Sequence, residues 1–370
     1  MTLIPDELTP FLSAIGAYAQ KAGLRAWVVG GAVRDFYLKR PTLDVDLTFD
    51  KAQETVVGFC IRKWGGSKKK FSQFGTYQVK LDADIKLDLA RLRTEEYPHP
   101  GWLPEVSFTN DIKEDLFRRD FTANAWALSI LPDSFGKSVD PYGAQKDIDK
   151  GLIRILHPHS FLDDPTRMFR AVRFAGRFGW EIAPKTKQLL LEAADHEYPL
   201  LVTRTRIARE LLKILEEENL KPIFDLMGEF NLLHFMWPNF AWQPALAKTQ
   251  NPQMRLGILA LSLKDSGENF INSLRLPKVY THDILVAWKI AQEKLCPIHN
   301  LPPFQRELLQ LVYPNLPPQA LESCFIHGGE LKNFGLQGKR ISGALTRVRK
   351  AQWEGKIASR QEAEKLLVNP

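Results

Sequence analysis

Cysteine is scarce. The 370 residues contain three, Cys60, Cys296 and Cys324, widely separated and without a Cys-x-x-Cys spacing. That pattern excludes a disulfide-stapled scaffold and a cysteine-built zinc site, and it points to a reducing compartment. Long apolar runs are missing too, none approaching the roughly 18 residues that a membrane-crossing helix needs. The opening residues MTLIPDELTPFLSAIG carry Asp6 and Glu7 where a secretory leader carries basic side chains, so a cytoplasmic protein without membrane contact is expected. Internal repeats and low-complexity tracts are absent, which excludes a repeat array and leaves an ordinary globular chain. A strong excess of one charge is also lacking: 50 Lys and Arg face 43 Asp and Glu, a net +7 that favours a polyanionic partner without identifying one.

What is present is material for a core. Hydrophobic residues make up 44% of the chain, enough for two or three domains at this length. The positive charge is unevenly spread: between Leu331 and Pro370 nine basic residues stand against three acidic ones. Strand patterns cluster early. Asp6 to Ala22 has helical spacing, Arg25 to Gly30 reads as a short buried strand ending in a Gly pair, and Asp44 to Phe49, Gly75 to Leu81 and Ile85 to Leu92 read as strands. Three prolines and a glycine make Thr94 to Asn110 a loop, Lys68-Lys69-Lys70 reads as a solvated loop with a phosphate contact as the alternative, and strand signals then largely stop. From Ser160 onward helical periodicity dominates, broken at Pro184, Pro199, Pro222 and Pro238 and in the Pro-rich stretches near Pro297 to Pro303 and Pro314 to Pro318. The expected fold is α+β: a head over residues 1–150 with a small mixed β-sheet and helices, then an all-helical neck over 151–225 and an all-helical body and tail over 226–370.

Three features of the head carry chemistry. Gly30-Gly31-Ala32-Val33-Arg34-Asp35 follows a strand and opens a helix; its glycines let backbone approach a phosphate, and free amides at a helix start favour an anion. In Asp44-Val45-Asp46 the two-residue period of a strand puts both carboxylates on one face, suited to a divalent cation that takes oxygen ligands. The ten residues from Arg34 to Asp44 make one turn-helix-strand passage that brings the Gly-Gly turn beside those carboxylates. Asp88, between Leu87 and Leu89, is a third acid in an apolar setting, costly unless it has a partner such as a shared metal. Each feature alone also suits a plain solvated surface.

Together they resemble the DNA polymerase β nucleotidyltransferase superfamily, in which a Gly-Gly or Gly-Ser turn, an acid-x-acid strand and a third acid assemble a two-metal site. The resemblance implies Asp44, Asp46 and Asp88 as catalytic carboxylates, with Asp44 and Asp46 as ligands of Mg2+. It also implies in-line attack of a 3′ hydroxyl on the α-phosphorus of a nucleoside triphosphate, with release of pyrophosphate. Arg118-Arg119-Asp120-Phe121-Thr122-Ala123-Asn124-Ala125 is similar to the RRDFTxNA motif of class II tRNA nucleotidyltransferases and bacterial poly(A) polymerases. The run from Asp163 to Phe174, DDPTRMFRAVRF, is similar to their E-D-x-x-R-x-x-R-A-x-R-F motif. Phe74 to Val79 resembles their FGTxxV strand, and Gly335 to Leu345 their tail element. By this resemblance Gly30, Gly31 and Arg34 face the triphosphate, Arg118, Arg119, Asp120 and Asn124 the ribose and phosphates, Asp164 and Arg167 read the base, and Arg170 and Arg173 stand near the nucleotide or primer.

Base reading makes physical sense on the predicted helix: Pro165 suits its first turn and Asp163 or Asp164 the cap just before it, while Asp164, Arg167 and Arg170 share one side and Met168, Val172 and Ala175 another. A carboxylate accepts from the exocyclic amine of cytosine or adenine and an arginine donates to the adjacent ring acceptor, whereas uracil and guanine present a carbonyl to the carboxylate. The implied activity is addition of C and/or A residues from CTP and ATP to the 3′ end of tRNA, with the basic tail on the tRNA elbow. Asp163 stands where the family's usual residue is Glu, which bears on nucleotide preference. The alternatives are an A-adding or CC-adding specialist, a poly(A) polymerase, whose distinctive basic segment is not evident, and a catalytically silent RNA-binding protein.

Overall fold

The computed structural model describes residues 3–71, 75–82, 84–294, 298 and 300–368. Phe74 of the FGT segment, Cys296 and Pro297 lie outside the described residues. The chain divides into two compact units, Met1–Val202 and Thr203–Pro370.

In the first unit a seven-stranded sheet is built from β1 (Ala26–Val29), β2 (Asp44–Phe49), β3 (Ser67–Phe71), β4 (Thr76–Lys80) and β5 (Lys86–Arg91), joined by two later strands. Between β5 and those two lies a separate hairpin of β6 (Arg93–Glu96) and β7 (Glu105–Phe108); β8 (Ala127–Ser129) and β9 (Ser138–Val139) complete the sheet. Its order is β3-β4-β5-β2-β1-β8-β9, and it is mixed because β2 and β5 run parallel while the other pairs are antiparallel. Parallel neighbours need a long connection, and the helix Gln53–Trp64 with the β3–β4 ribbon supplies it. Alternation sorts the side chains: Val45, Leu47, Val79, Leu87 and Leu89 are buried in one core with Val56 and Val57 of that helix and Leu12 and Ile15 of the helix Thr9–Lys21. Gly16 lets that first helix close on the sheet, since a Cβ there would stand 1.7 Å from the carbonyl oxygen of Ile130.

Several local readings are corrected. The stretch Thr94 to Asn110 is not a plain loop: Arg93↔Phe108, Thr94↔Ser107 and Glu95↔Val106 pair as a hairpin. Its strands are too polar to show as strands in the sequence, and the prolines and glycine occupy only its tip. Strand structure also continues past Asn110, because β8 inserts between β1 and the edge strand β9. Three buried residues are too few to display a period. The Lys68-Lys69-Lys70 run is an edge strand rather than a loop, and lysines on an edge discourage pairing with another chain. The neck is helical, with Ser160–Asp163, Thr166–Phe178 and Pro184–Asp195, except for the two-residue parallel pair β10 (Leu152–Ile153) and β11 (Glu181–Ile182).

The second unit is helical among the described residues. Its helix Pro252–Ser262 is buried along most of its length and includes Arg255, 1% exposed. That guanidinium donates to the carbonyls of Leu215, Glu217, Glu218 and Thr249, which gives otherwise open carbonyls after the helix Arg204–Leu215 their partners. A separate small core of Ile326, Leu331, Ala344 and Val348 holds the basic helix Lys339–Trp353. No helix of the described residues is long and apolar enough to cross a membrane.

Candidate active site

The open face of the sheet carries the acids. The parallel register sets Asp46 directly opposite Asp88 and Asp44 opposite Lys86. Lys86 Nζ lies 2.9 Å from Asp44 Oδ2, and Gln78 Nε2 donates to Asp88 Oδ1 at 3.1 Å. Burial raises the pKa of Asp46 to about 6; the charges of Asp88 and Asp44 add to that effect and Arg119 opposes it. Among the described residues no three acidic, His or Cys side chains converge closely enough to make a preassembled metal cluster. The three acids share a face without closing into one cage.

Gly30 ends β1 with φ +75°, in a region that disfavours side chains. A Cβ there would stand 2.7 Å from Arg119 Nη1 and 3.4 Å from Asp46 Oδ2, so the turn, the acid and the arginine meet at one point. Gly31 follows as the first residue of the helix Gly31–Tyr37. Arg119 is anchored by Asp115, whose Oδ2 accepts from Nη2 at 3.0 Å, and its buried Nε has no hydrogen-bond partner among the described residues. Asp115 also accepts from Arg118, and Glu95 of the hairpin takes another Arg118 donor at 3.0 Å. Asp115 and Glu95 escaped the sequence reading, although Asp115 lies three and four residues before Arg118 and Arg119, a spacing that brings helical side chains together.

A second network lies beside the first. Arg34 is buried and donates to Asp35 and, through Nη1, to Asn124 Oδ1 at 2.5 Å. Asn124 Nδ2 donates to Asp120 Oδ1, and Arg170 donates Nε and Nη2 to Asp120 Oδ2. Burial works to raise the pKa of Asp120, yet the Arg170 charge and the hydrogen bonds from Asn124 and Arg170 overcome it and hold the carboxyl below its ordinary range.

At the start of the helix Thr166–Phe178, Asp164 takes the capping role open to it and does not share the helix's polar side; the residue is extended, φ −134° and ψ 93°, and its Oδ1 accepts from the amide and hydroxyl of Thr166. The reason is local: a carboxylate just ahead of Pro165 satisfies a free amide of the first turn. Arg167 is buried and donates to Ser160 Oγ and to the Arg118 carbonyl, each at 2.8 Å. Arg173 is buried, its guanidinium 4.4 Å from the Phe174 ring centre. Arg167, Arg118, Glu95, Tyr97, His157 and Asp163 line a cavity of about 510 Å³, so the first acid of the motif, rather than Asp164, faces it.

Comparison with known proteins bears on this geometry. Residues 26–154 match the model of the poly A polymerase head domain, and residues 179–243 that of a probable RNA and SrmB-binding site of polymerase A. A CCA-adding enzyme of Geobacillus is 31% identical over 307 residues, covering 76% of this chain and 71% of that protein. The chain belongs to the tRNA nucleotidyltransferase and poly(A) polymerase family. Its fold agrees with this membership: a CCA-adding enzyme solved in an apo form superposes with TM-score 0.70 at 25% identity, covering 99% of this chain and 97% of the other. An A-adding tRNA nucleotidyltransferase of Aquifex aeolicus is 36% identical over 219 residues, 59% of this chain; the match spans only 26% of that relative's length. The nucleotidyltransferase motifs Arg118–Ala125 and Asp163–Phe174 therefore stand in this family member on elements that its sheet and neck bring together.

Proposed function

We propose that this family member is a template-independent tRNA nucleotidyltransferase that adds C and/or A residues from CTP and ATP to the tRNA 3′ end. The observation that carries the reading is Asp46 beside Asp88 on parallel strands, next to the Gly30 turn and Arg119. Residues 1–150 perform the chemistry, 151–225 select the base and 226–370 hold the RNA, where the tail's excess of basic residues suits phosphate contacts.

The donor set fits a divalent cation such as Mg2+: Asp44 and Asp46 offer oxygen ligands from one strand face, and burial makes Asp46 hard to ionise without a neighbouring positive charge. When bound there, the cation neutralises triphosphate charge and acidifies the attacking hydroxyl. The residues of the chain do the rest. Arg119, held by Asp115, presents Nη1 at the Gly30 turn, where the triphosphate lies. Gln78 occupies Asp88 Oδ1 and leaves Oδ2 for the hydroxyl proton. The 3′ oxygen bonds to the α-phosphorus as the bond to the β-phosphate breaks, and pyrophosphate carries away the electron pair. Arg167 and Asp163 offer a donor and an acceptor to the base edge, with Tyr97 as an aromatic wall.

The A-adding name of the Aquifex relative favours a second reading, an enzyme that adds only the terminal A. Labelled CTP or ATP, Mg2+ and tRNA transcripts ending before CCA or after CC decide between them. Addition of both C and A from the first position supports the complete activity, addition that stops after two C a CC-adding enzyme, and incorporation only after CC the A-adding specialist. No incorporation on either, with tRNA still bound, sinks the enzyme reading. Asp46→Asn should lower transfer on the order of 10³-fold or more while tRNA affinity holds.

A further inference from the structure

Residues directly opposite one another on neighbouring strands share a sheet face, so the register can be followed from the edge of the sheet to its acids. One row runs Lys69, Gln78, Asp88, Asp46, across β3, β4, β5 and β2. The next runs Lys80, Lys86, Asp44. The intervening positions Val79, Leu87 and Val45 point into the core and are buried. The face that carries the acids therefore continues outward as a lysine surface. Lys69 and Lys80 are exposed, and three strand spacings, about 14 Å, separate Lys69 from Asp46. Lys80 faces Asp84 at 3.7 Å with both side chains exposed, a pair too weakly coupled to keep the ammonium from another anion. Lys68 and Lys70, on the same strand, alternate to the other face.

A substrate whose terminal hydroxyl reacts beside Asp46 must lead the rest of its strand away over a surface. Lysines in a row, each a point charge without the planar fork of arginine, suit backbone phosphates and carry no base information. We propose that Lys69 and Lys80, beyond the Lys86 held by Asp44, form a track for the backbone phosphates of the single-stranded 3′ end of the RNA substrate. This assignment rests on the nucleotidyl-transfer reading, and it adds a head-domain contact surface to it.

A short, unstructured, fluorescein-labelled RNA oligonucleotide isolates this surface from contacts to folded tRNA. Its affinity is measured by anisotropy across a salt series for wild type, Lys69→Ala/Lys80→Ala and Lys68→Ala, after thermal melts show the variants folded. The double variant is expected to bind roughly three- to tenfold more weakly near 0.1 M salt, with the slope of log affinity against log salt reduced by about 1.4, or about 0.7 for each phosphate left without its lysine. Lys68→Ala should bind as wild type does. In transfer assays the double variant should raise KM for tRNA and leave KM for CTP in place. An unchanged slope in the double variant, or an equal weakening in Lys68→Ala, overturns the track. Wild type that transfers no nucleotide sinks the enzyme reading instead, and the oligonucleotide measurement still decides the track.

Discussion

Arg170 and Asp120, fifty positions apart, meet through Nε and Nη2 on the single oxygen Oδ2, fastening the helix Thr166–Phe178 to the segment that carries Arg118 and Arg119. Asp120 passes the link through Asn124 to Arg34, behind the Gly30 turn. The helix Thr166–Phe178 and the Gly30 turn are thereby held by one buried chain of charged and amide groups. Its members are mutually dependent.

Removing one end should show that dependence. Arg170→Met leaves the Asp120 carboxylate buried without its main counter-charge, an expected cost of about 2–4 kcal/mol, read as a lower melting temperature. Asp120→Asn in the same background should recover part of the loss. Because the carboxyl titrates below its ordinary range when folded, its contribution is complete above about pH 4 and is lost as pH falls further. Melts at pH 7 and below pH 4 should show that loss in wild type and a smaller one in Asp120→Asn.

Gly30→Ala tests the meeting point of turn, acid and arginine. The methyl group would stand 2.7 Å from Arg119 Nη1, on a backbone with φ +75°. Arg119 must move, and kcat/KM for CTP and ATP should fall by about tenfold or more with tRNA binding preserved. Normal kinetics would show that Arg119 takes no part.

Base selection should follow the cavity. Arg167→Ala and Asp163→Ala are expected to narrow the preference for CTP and ATP over UTP and GTP by about ten- to a hundredfold in kcat/KM. Asp164→Ala, outside the cavity lining, should cost about 1 kcal/mol because Thr166 loses its acceptor, and shift selectivity less than either of the other two. Unchanged selectivity in all three would place base reading elsewhere.

His157 gives a pH signature. Burial, then the charges of Arg167 and His159, lowers its pKa to about 4, and Asp163 Oδ2 at 3.8 Å does not offset them. The unfolded chain takes up this proton near pH 6.5 and the folded one only near 4, so stability falls as pH drops through that window. The expected loss is about 2–3 kcal/mol at its lower end. His157→Gln should flatten that part of the stability curve in thermal melts.

Several of these elements were legible beforehand because their causes are local. Strand period alone puts Asp44 and Asp46 on one face with Val45 buried behind them, and β2 runs from Asp44 to Phe49 as its alternation predicts. The Arg118–Ala125 and Asp163–Phe174 runs point to the family by residue type and order. The hairpin Arg93–Phe108 and strand Ala127–Ser129 were not legible, since both owe their conformation to a partner strand. Of the two capping candidates ahead of Pro165 it is Asp164 that meets the open amide of Thr166, a choice that the sequence alone leaves open.

By itself, then, the sequence determined the kinds of chemical group present, their order, and which neighbours within a strand or helix share a face, because dihedral preference and side-chain period act over a few residues. Tertiary structure alone decided that Asp46 stands beside Asp88, that Arg119 reaches Gly30 through its hold on Asp115, and that Arg170 closes on Asp120. Each of those pairings joins distant segments, and only the packed core that buries Val45, Leu47, Leu87 and Leu89 makes one register and one set of ion pairs lower in free energy than the alternatives.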